Sequence, residues 1–329
     1  MPLKLADKWV WDFWFAEVSG NHHIFYLQAP RMLKRPTLRH HHASIGHAVS
    51  RDLRSWRVLP DALRPGPDGS WDDLATWTGS ALEFDGSWYM LYTGISHREH
   101  GLVQRIGLAV SEDLVSWSKH PANPVLEADA RWYDLLNTDR WRDQSWRDPW
   151  LFRHPDGGSI HCLITARSPD GPADAAGVVA HARSHDFVNW EVLPPVTAPG
   201  EFAQVEAPQL VSVDGRYAIL VSSQAEDHSR RRIERLGTAG STGTFAFTSD
   251  AIFGPYEPPV APIAAPDGPL GPLYAGKLIK RADGKWEFMA FRGAGDRHFL
   301  GELTDPLPVT CEPGGQLAVF PRTVAGAEH

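Results

Sequence analysis

The sequence predicts an all-β fold, a five-bladed β-propeller with four antiparallel strands per blade, and three observations carry that prediction. Helical periodicity is missing, and short runs of alternating apolar residues are separated by clusters of Gly, Asp and Pro. Hairpin signals recur at Ser19-Gly20-Asn21, Asp85-Gly86, Asp156-Gly157, Asp214-Gly215 and Asp283-Gly284, where glycine supplies the positive φ that a tight turn needs. Their glycines are spaced by 66, 71, 58 and 69 residues, an irregular but persistent period that fills the chain with five units.

Each hairpin signal opens a strand-like run: His23 to Leu27, Trp88 to Tyr92, Ile160 to Ile164, Tyr217 to Val221 and Trp286 to Ala290. A second marker, Ser-x-Asp-Leu-x-x-Trp or a close variant, keeps step with the first at Ser50 to Trp56, Ser111 to Trp117 and Ser184 to Trp190. A weaker fourth copy runs from Ser249-Asp250 to Tyr256. These segments follow runs such as Ile45 to Val49 and read as a structural turn without chemistry of its own, so each unit has room for about four strands. A two-sheet sandwich with a second domain is the runner-up, but it does not predict five equivalent hairpins. The expectation is therefore one propeller domain over residues 1–329.

Composition narrows the partner. The net charge of −8 comes without long charged runs, so nothing marks a nucleic-acid or anionic-membrane surface. A small-molecule or oligosaccharide substrate is the expected partner; the oligomeric state is left open. Cys162 and Cys311 are the only cysteines and have no metal-ligand spacing. The His-rich stretch Arg39-His40-His41-His42, with His47 nearby, is read as a loop between strands, so neither a metal nor a cofactor is expected. The sequence reaches Trp-rich, structured-looking residues by Trp9 with no long apolar stretch before it, which makes a cytoplasmic location the expectation. Of 14 Trp most are read as core, although flat aromatic faces also suit sugar rings.

In a propeller the innermost strand of each blade lines the central channel, so matching positions converge in space. Counting back eight or nine residues from each hairpin glycine lands on Asp12, Thr78 with Trp77, Asp148, Glu206, and Gly276 with Ala275. Three of the five are carboxylates, whereas 40 acids in 329 residues would place one at about one position in eight. All three lie in apolar or aromatic surroundings, where an uncompensated charge is costly. Convergent carboxylates in an aromatic-walled channel suit glycosidic bond cleavage, in which one carboxyl donates a proton and another attacks the sugar or activates water. In Trp146-Arg147-Asp148-Pro149-Trp150 the guanidinium holds its neighbour ionised and offers donors to hydroxyls. The segment Asp139-Arg140-Trp141-Arg142-Asp143 just before it reads as a rim over the channel or as a solvated loop.

Several of these segments resemble clan J of the glycoside hydrolases, families 32 and 68. Trp11-Asp12-Phe13-Trp14 is similar to the nucleophile motif of family 68 and departs from the Asn-Asp-Pro-Asn-Gly form of family 32. Gly46 to Leu63 resembles a first-blade segment of family 32, Trp77-Thr78-Gly79-Ser80-Ala81 its Ser-Gly-Ser-Ala motif, and Arg147-Asp148-Pro149 the Arg-Asp-Pro motif shared across the clan. Val205-Glu206-Ala207-Pro208-Gln209 sits where the acid/base motif belongs, with Ala where Cys or Arg is more usual. The resemblance covers about residues 9 to 317 and implies a single catalytic domain, with no C-terminal β-sandwich of the kind typical of family 32 expected.

It implies a retaining β-fructofuranosidase acting on sucrose or fructo-oligosaccharides, with transfructosylation as a companion reaction. Asp12 would be the nucleophile, Glu206 the acid/base and Asp148 the transition-state stabiliser. Arg147 and Ser80 would contact sugar hydroxyls, Trp11, Trp77 and Gln28 would flank the pocket, and Tyr274 would form an aromatic wall. The competing readings are an inverting, family 43-like arabinofuranosidase or xylosidase and a non-catalytic sugar-binding propeller.

Overall fold

The computed structural model describes residues 2–293, 299–312 and 316–320. All five hairpin signals fold as turns between the two innermost strands of a blade. At Ser19-Gly20, Asp85-Gly86 and Asp214-Gly215 both residues have positive φ, between 49° and 84°, the backbone of a two-residue turn whose twist matches its strands.

Blade I holds β1 (Lys8–Val18), β2 (Asn21–Pro30), β3 (Ser44–Ser50) and β4 (Arg57–Leu63). Blade II holds β5 (Ala75–Phe84), β6 (Ser87–Ile95), β7 (Arg105–Ser111) and β8 (Ser118–Lys119). Blade III holds β9 (Arg147–Arg153), β10 (Ile160–Arg167), β11 (Gly177–Ser184) and β12 (Trp190–Leu193). Blade IV holds β13 (Glu206–Val213), β14 (Arg216–Ser223) and β15 (Gly243–Ser249), and blade V holds β16 (Leu273–Lys280), β17 (Trp286–Arg292), β18 (Leu307–Glu312) and β19 (Gln316–Val319). Each sheet is antiparallel, with its strands side by side in chain order.

Blade IV departs from the expected four strands. Its outer place is taken only by a bridge between Thr248 and Glu257, because Pro258, Pro259 and Pro262 follow and prolines cannot donate to a ladder. The inner strands β1, β5, β9, β13 and β16 touch in that cyclic order, and β16 returns to β1. The ring is closed by backbone bonds between its ends: Val10 N–H donates to the Gly301 carbonyl and Leu303 N–H to that of Leu3, both at 3.1 Å.

The Ser-x-Asp marker is a turn, as its composition indicates. Asp52, Asp113 and Asp186 each accept two amide N–H groups at 2.7–2.9 Å from residues two and three further on. The following Leu53, Leu114 and Phe187 have φ near 60° and are buried between blades. The amides of Ser116 and Val115 pull the Asp113 carboxyl down to about 2.

One irregularity is repeated on every inner strand. Register shifts fall between Trp11 and Phe13, Trp77 and Gly79, Arg147 and Trp150, Glu206 and Gln209, and Tyr274 and Lys277. Four of these bulges contain a non-glycine residue at positive φ: Asp12 (24°), Asp148 (56°), Ala207 (52°) and Ala275 (48°). The equivalence inferred by counting is therefore one residue off in blade IV. Ala207 matches Asp12 and Asp148, while Glu206 occupies the preceding position, together with Trp11, Trp77, Arg147 and Tyr274. Replacing Asp113 by Ala is expected to cost about 1 kcal/mol, seen as a lower denaturation midpoint with an unchanged m-value.

Candidate active site

The bulges aim their side chains into one cavity of about 250 Å³. That is smaller than the roughly 300–1,000 Å³ of drug-sized ligand pockets and suits a single sugar ring. Trp11, Asp12, Trp77, Thr78, Arg147, Asp148, Glu206 and Tyr274 line it from the inner strands. Leu27 and Phe291, cross-strand partners of Trp11 and Tyr274, add apolar wall.

The three carboxylates have different surroundings. Asp12 receives one neutral hydrogen bond, from Thr78 Oγ1 at 3.2 Å. Asp148 Oδ2 accepts from Thr165 Oγ1 and from Ala207 N–H, each at 3.0 Å, with Arg147 Nε 3.7 Å away. Glu206 Oε1 accepts from Arg147 at 2.8 Å and from Gln204 Nε2 at 2.9 Å, and Oε2 accepts from the Tyr274 hydroxyl at 2.6 Å. Arg147 is buried. Burial alone would depress it, but Glu206, Asp143 and Asp148 outweigh that and hold it above its usual range.

Burial, then the fields of Asp148 and Glu206, pushes the Asp12 carboxyl up from 3.8 to about 7. Burial also raises Asp148, against the pull of Arg147. Asp12 is therefore a carboxyl that keeps its proton toward neutrality, and it must lose that proton before it can act as a nucleophile. His40, buried beside Arg39 and further cations, is held well below its usual value and stays neutral.

Of the residues expected at the site, Trp11, Asp12, Trp77, Arg147, Asp148, Glu206 and Tyr274 line the cavity, but Gln28 and Ser80 do not. Side chains alternate along a strand, so Gln28, next to Leu27, points the other way and donates to Asp61 Oδ1 at 2.7 Å. Ser80 lies two residues beyond the bulge, about 7 Å deeper, and its Oγ accepts the Leu151 N–H at 2.7 Å. The residues not anticipated are Arg39 and His40, on a short 3-10 helix (Pro36–His42) where a loop was expected, and Gln104, Gln204 and Gln224, which reach the cavity from loops. His40 is thus part of the wall, and its carbonyl accepts from Trp77 Nε1 at 2.7 Å. The rim reading holds for Arg142, which lines the cavity and donates to Gln204 Oε1 at 2.9 Å; Trp141 is packed between Arg142 and Arg167.

The raised Asp12 gives a pH signature. Between 3.8 and about 7 the folded state keeps a proton that the unfolded state has released, so stability falls as pH rises through that window. Because the carboxylate is partly open to cavity water, the total loss above it is about 2–4 kcal/mol. Asp12→Asn should therefore unfold at higher temperature than wild type at pH 8, and calorimetry should find the advantage gone near pH 4.

The glycosyl hydrolases family 32 N-terminal domain matches residues 13–255, beginning one residue after Asp12, where the chain departs from the family 32 form. An extracellular sucrase of Zymomonas mobilis is 25% identical over 96% of this chain and 83% of its own length. A sucrose:sucrose 1-fructosyltransferase of Festuca arundinacea is 33% identical over 54% of this chain and 25% of its own. Among solved structures, inulosucrase from Halalkalicoccus jeotgali bound to kestose superposes with a TM-score of 0.76 at 23% identity, over 97% of this chain and 89% of that one. The Zymomonas relative is named extracellular, which overturns the cytoplasmic expectation. That expectation rested on a missing apolar leader, and such an absence does not fix a compartment. With a family match spanning most of the propeller and an acid-lined channel at its centre, the chain belongs to glycosyl hydrolase family 32.

Proposed function

We propose that the protein is a retaining β-fructofuranosidase that cleaves sucrose or short fructo-oligosaccharides and transfers fructosyl groups to sugar acceptors as a companion reaction. The five blades act in this reading as one catalytic unit. The observation that carries it is the unequal setting of Asp12 and Glu206 in a cavity the size of one sugar ring. Relatives named sucrase and fructosyltransferase support the choice of sugar.

Asp12 has no cation in contact among the described residues, so its anion is poorly compensated and suited to attack the anomeric carbon. Glu206 Oε2 faces the Tyr274 hydroxyl, which can donate or accept. Glu206 can therefore carry a proton toward the leaving oxygen, and later take one from water or an acceptor sugar, without losing its partner. Asp148, fixed by Thr165 and Ala207, and Arg147 hold ring hydroxyls and stabilise the oxocarbenium-like charge.

Incubation with sucrose, 1-kestose and inulin, followed by product analysis, tests the substrate. NMR at early times should find fructose released as the β-anomer, and an inverted product would sink the double-displacement mechanism. Asp12→Ala should abolish turnover while sucrose binding persists. Asp148→Asn should lower kcat by about 10²–10³-fold with KM changed only a few-fold, whereas equal losses in binding would assign it to structure. The kcat/KM profile should have its acid limb well above the ordinary carboxylate range, near 7, as Asp12 ionises.

A further inference from the structure

Lys277 lies on β16, 2% exposed, three residues beyond Tyr274. Among the described residues no carboxylate is within ion-pair distance of its ammonium. Its Nζ donates instead to the Ala207 carbonyl at 2.6 Å and the Pro208 carbonyl at 3.3 Å and lies 5.5 Å from the Trp150 ring. A buried cation without a counter-ion is costly, and an apolar residue at this place would be cheaper for the fold alone.

The two carbonyls belong to the bulge that carries Glu206. Ala207 is held at φ 52°, a left-handed conformation that is strained for an L-residue with a Cβ. Its peptide groups are tied at both ends: N–H to Asp148 Oδ2 and C=O to Lys277 Nζ. Pro208, next in line, has no N–H to return the segment to the ladder.

We propose that Lys277 is a positioning residue for the hydrolase reaction, holding the Glu206-Ala207-Pro208 bulge in its strained form. Glu206 thereby stays against Arg147 and Tyr274, and the Ala207 N–H stays on Asp148. The ammonium also supplies positive charge behind the acids. Asp148 on β9 and Asp12 on β1 are the carboxylates whose fields oppose the lowering of Lys277 by burial, to about 8. Asp12 itself faces Asp148, Glu206, Thr78 and Arg39. Loss of the ammonium therefore raises the Asp12 carboxyl further.

The proposal rests on the fructofuranosidase reading, and the test separates the two. With sucrose as substrate, Lys277→Met should lower kcat about hundredfold, leave KM within about threefold, and move the acid limb of kcat/KM up by about half a pH unit. Adding Ala207→Gly, which removes the strain the ammonium restrains, should restore part of kcat and leave the limb displaced. A soluble Lys277→Met variant with wild-type kcat, or one whose loss is neither restored by Ala207→Gly nor accompanied by a moved limb, overturns the proposal.

If Lys277→Met does not fold, Lys277→Gln, which keeps one donor and no charge, gives the same reading with a smaller loss of kcat and the same direction of limb shift. ¹³C NMR titration of labelled Asp12 in wild type and variant reads the charge effect without turnover. If wild type fails to cleave sucrose, the function falls, while an unmoved Asp12 titration separately removes the charge effect of Lys277.

Discussion

The structure depends on where the backbone N–H groups of its bulges go. A bulge with positive φ turns its amide out of the ladder, and a buried amide must find another acceptor. In blade III, Asp148 N–H donates to Thr93 Oγ1 at 3.0 Å, and that hydroxyl donates in turn to the Thr78 carbonyl of the blade II bulge. In blade V, Ala275 N–H donates to Ser222 Oγ at 2.9 Å. Thr93 and Ser222 occupy the same place, opposite the pre-bulge residues Trp77 and Glu206. Thr165 stands there in blade III, opposite Arg147, but the Ala207 amide passes it by and bonds the Asp148 carboxylate, to which Thr165 also donates. Asp148 thus completes the run of inter-blade bonds with a charged acceptor, so the residue assigned to stabilise the sugar also fixes the neighbouring bulge.

The same ring sets the charge of the cavity. Three carboxylates cannot all ionise in so small a space without compensation. Arg147 and Lys277, both buried, and Arg39 and Arg142 in the wall bring positive charge against them. Asp12 has no cation in contact among the described residues, and there the proton is retained up to about pH 7. In the proposed reaction, a developing positive charge on the sugar ring would lower the cost of ionising Asp12.

Much of this was legible in the sequence. Asp-Gly turns announce themselves, because positive φ restricts the residue types, and the Ser-x-Asp marker does so through its two-amide acceptor. The closing blade was readable for the same reason, from Asp283-Gly284. The bulges were not, since Ala207 and Ala275 adopt positive φ with side chains that carry no mark of it, and counting from the hairpin consequently set Glu206 one place out of line. Gln28 and Ser80 were placed at the cavity by the resemblance to clan J, but alternation and depth along the strand send them elsewhere. Gln204 and Gln224 carry no pattern at all, since loops reach the cavity only once the blades are closed.

A site made this way is rigid for a definite reason. Residues held at positive φ without glycine persist only where their surroundings over-determine them, and here four sit on one ring, each next to or at a cavity-lining residue. Positive φ without glycine also occurs at the hairpins, at Ser19, Asp85 and Asp214, and in the Ser-x-Asp turns, at Leu53, Leu114 and Phe187, but only in the bulges does it sit beside the carboxylates of the cavity, where closure of β16 onto β1 holds it. Relaxing the bulge of blade III, IV or V would release energy locally but would leave its amide without the acceptor it has across the blade boundary. That coupling lets the fold keep Asp12 poorly compensated without losing the geometry of Glu206 across the cavity.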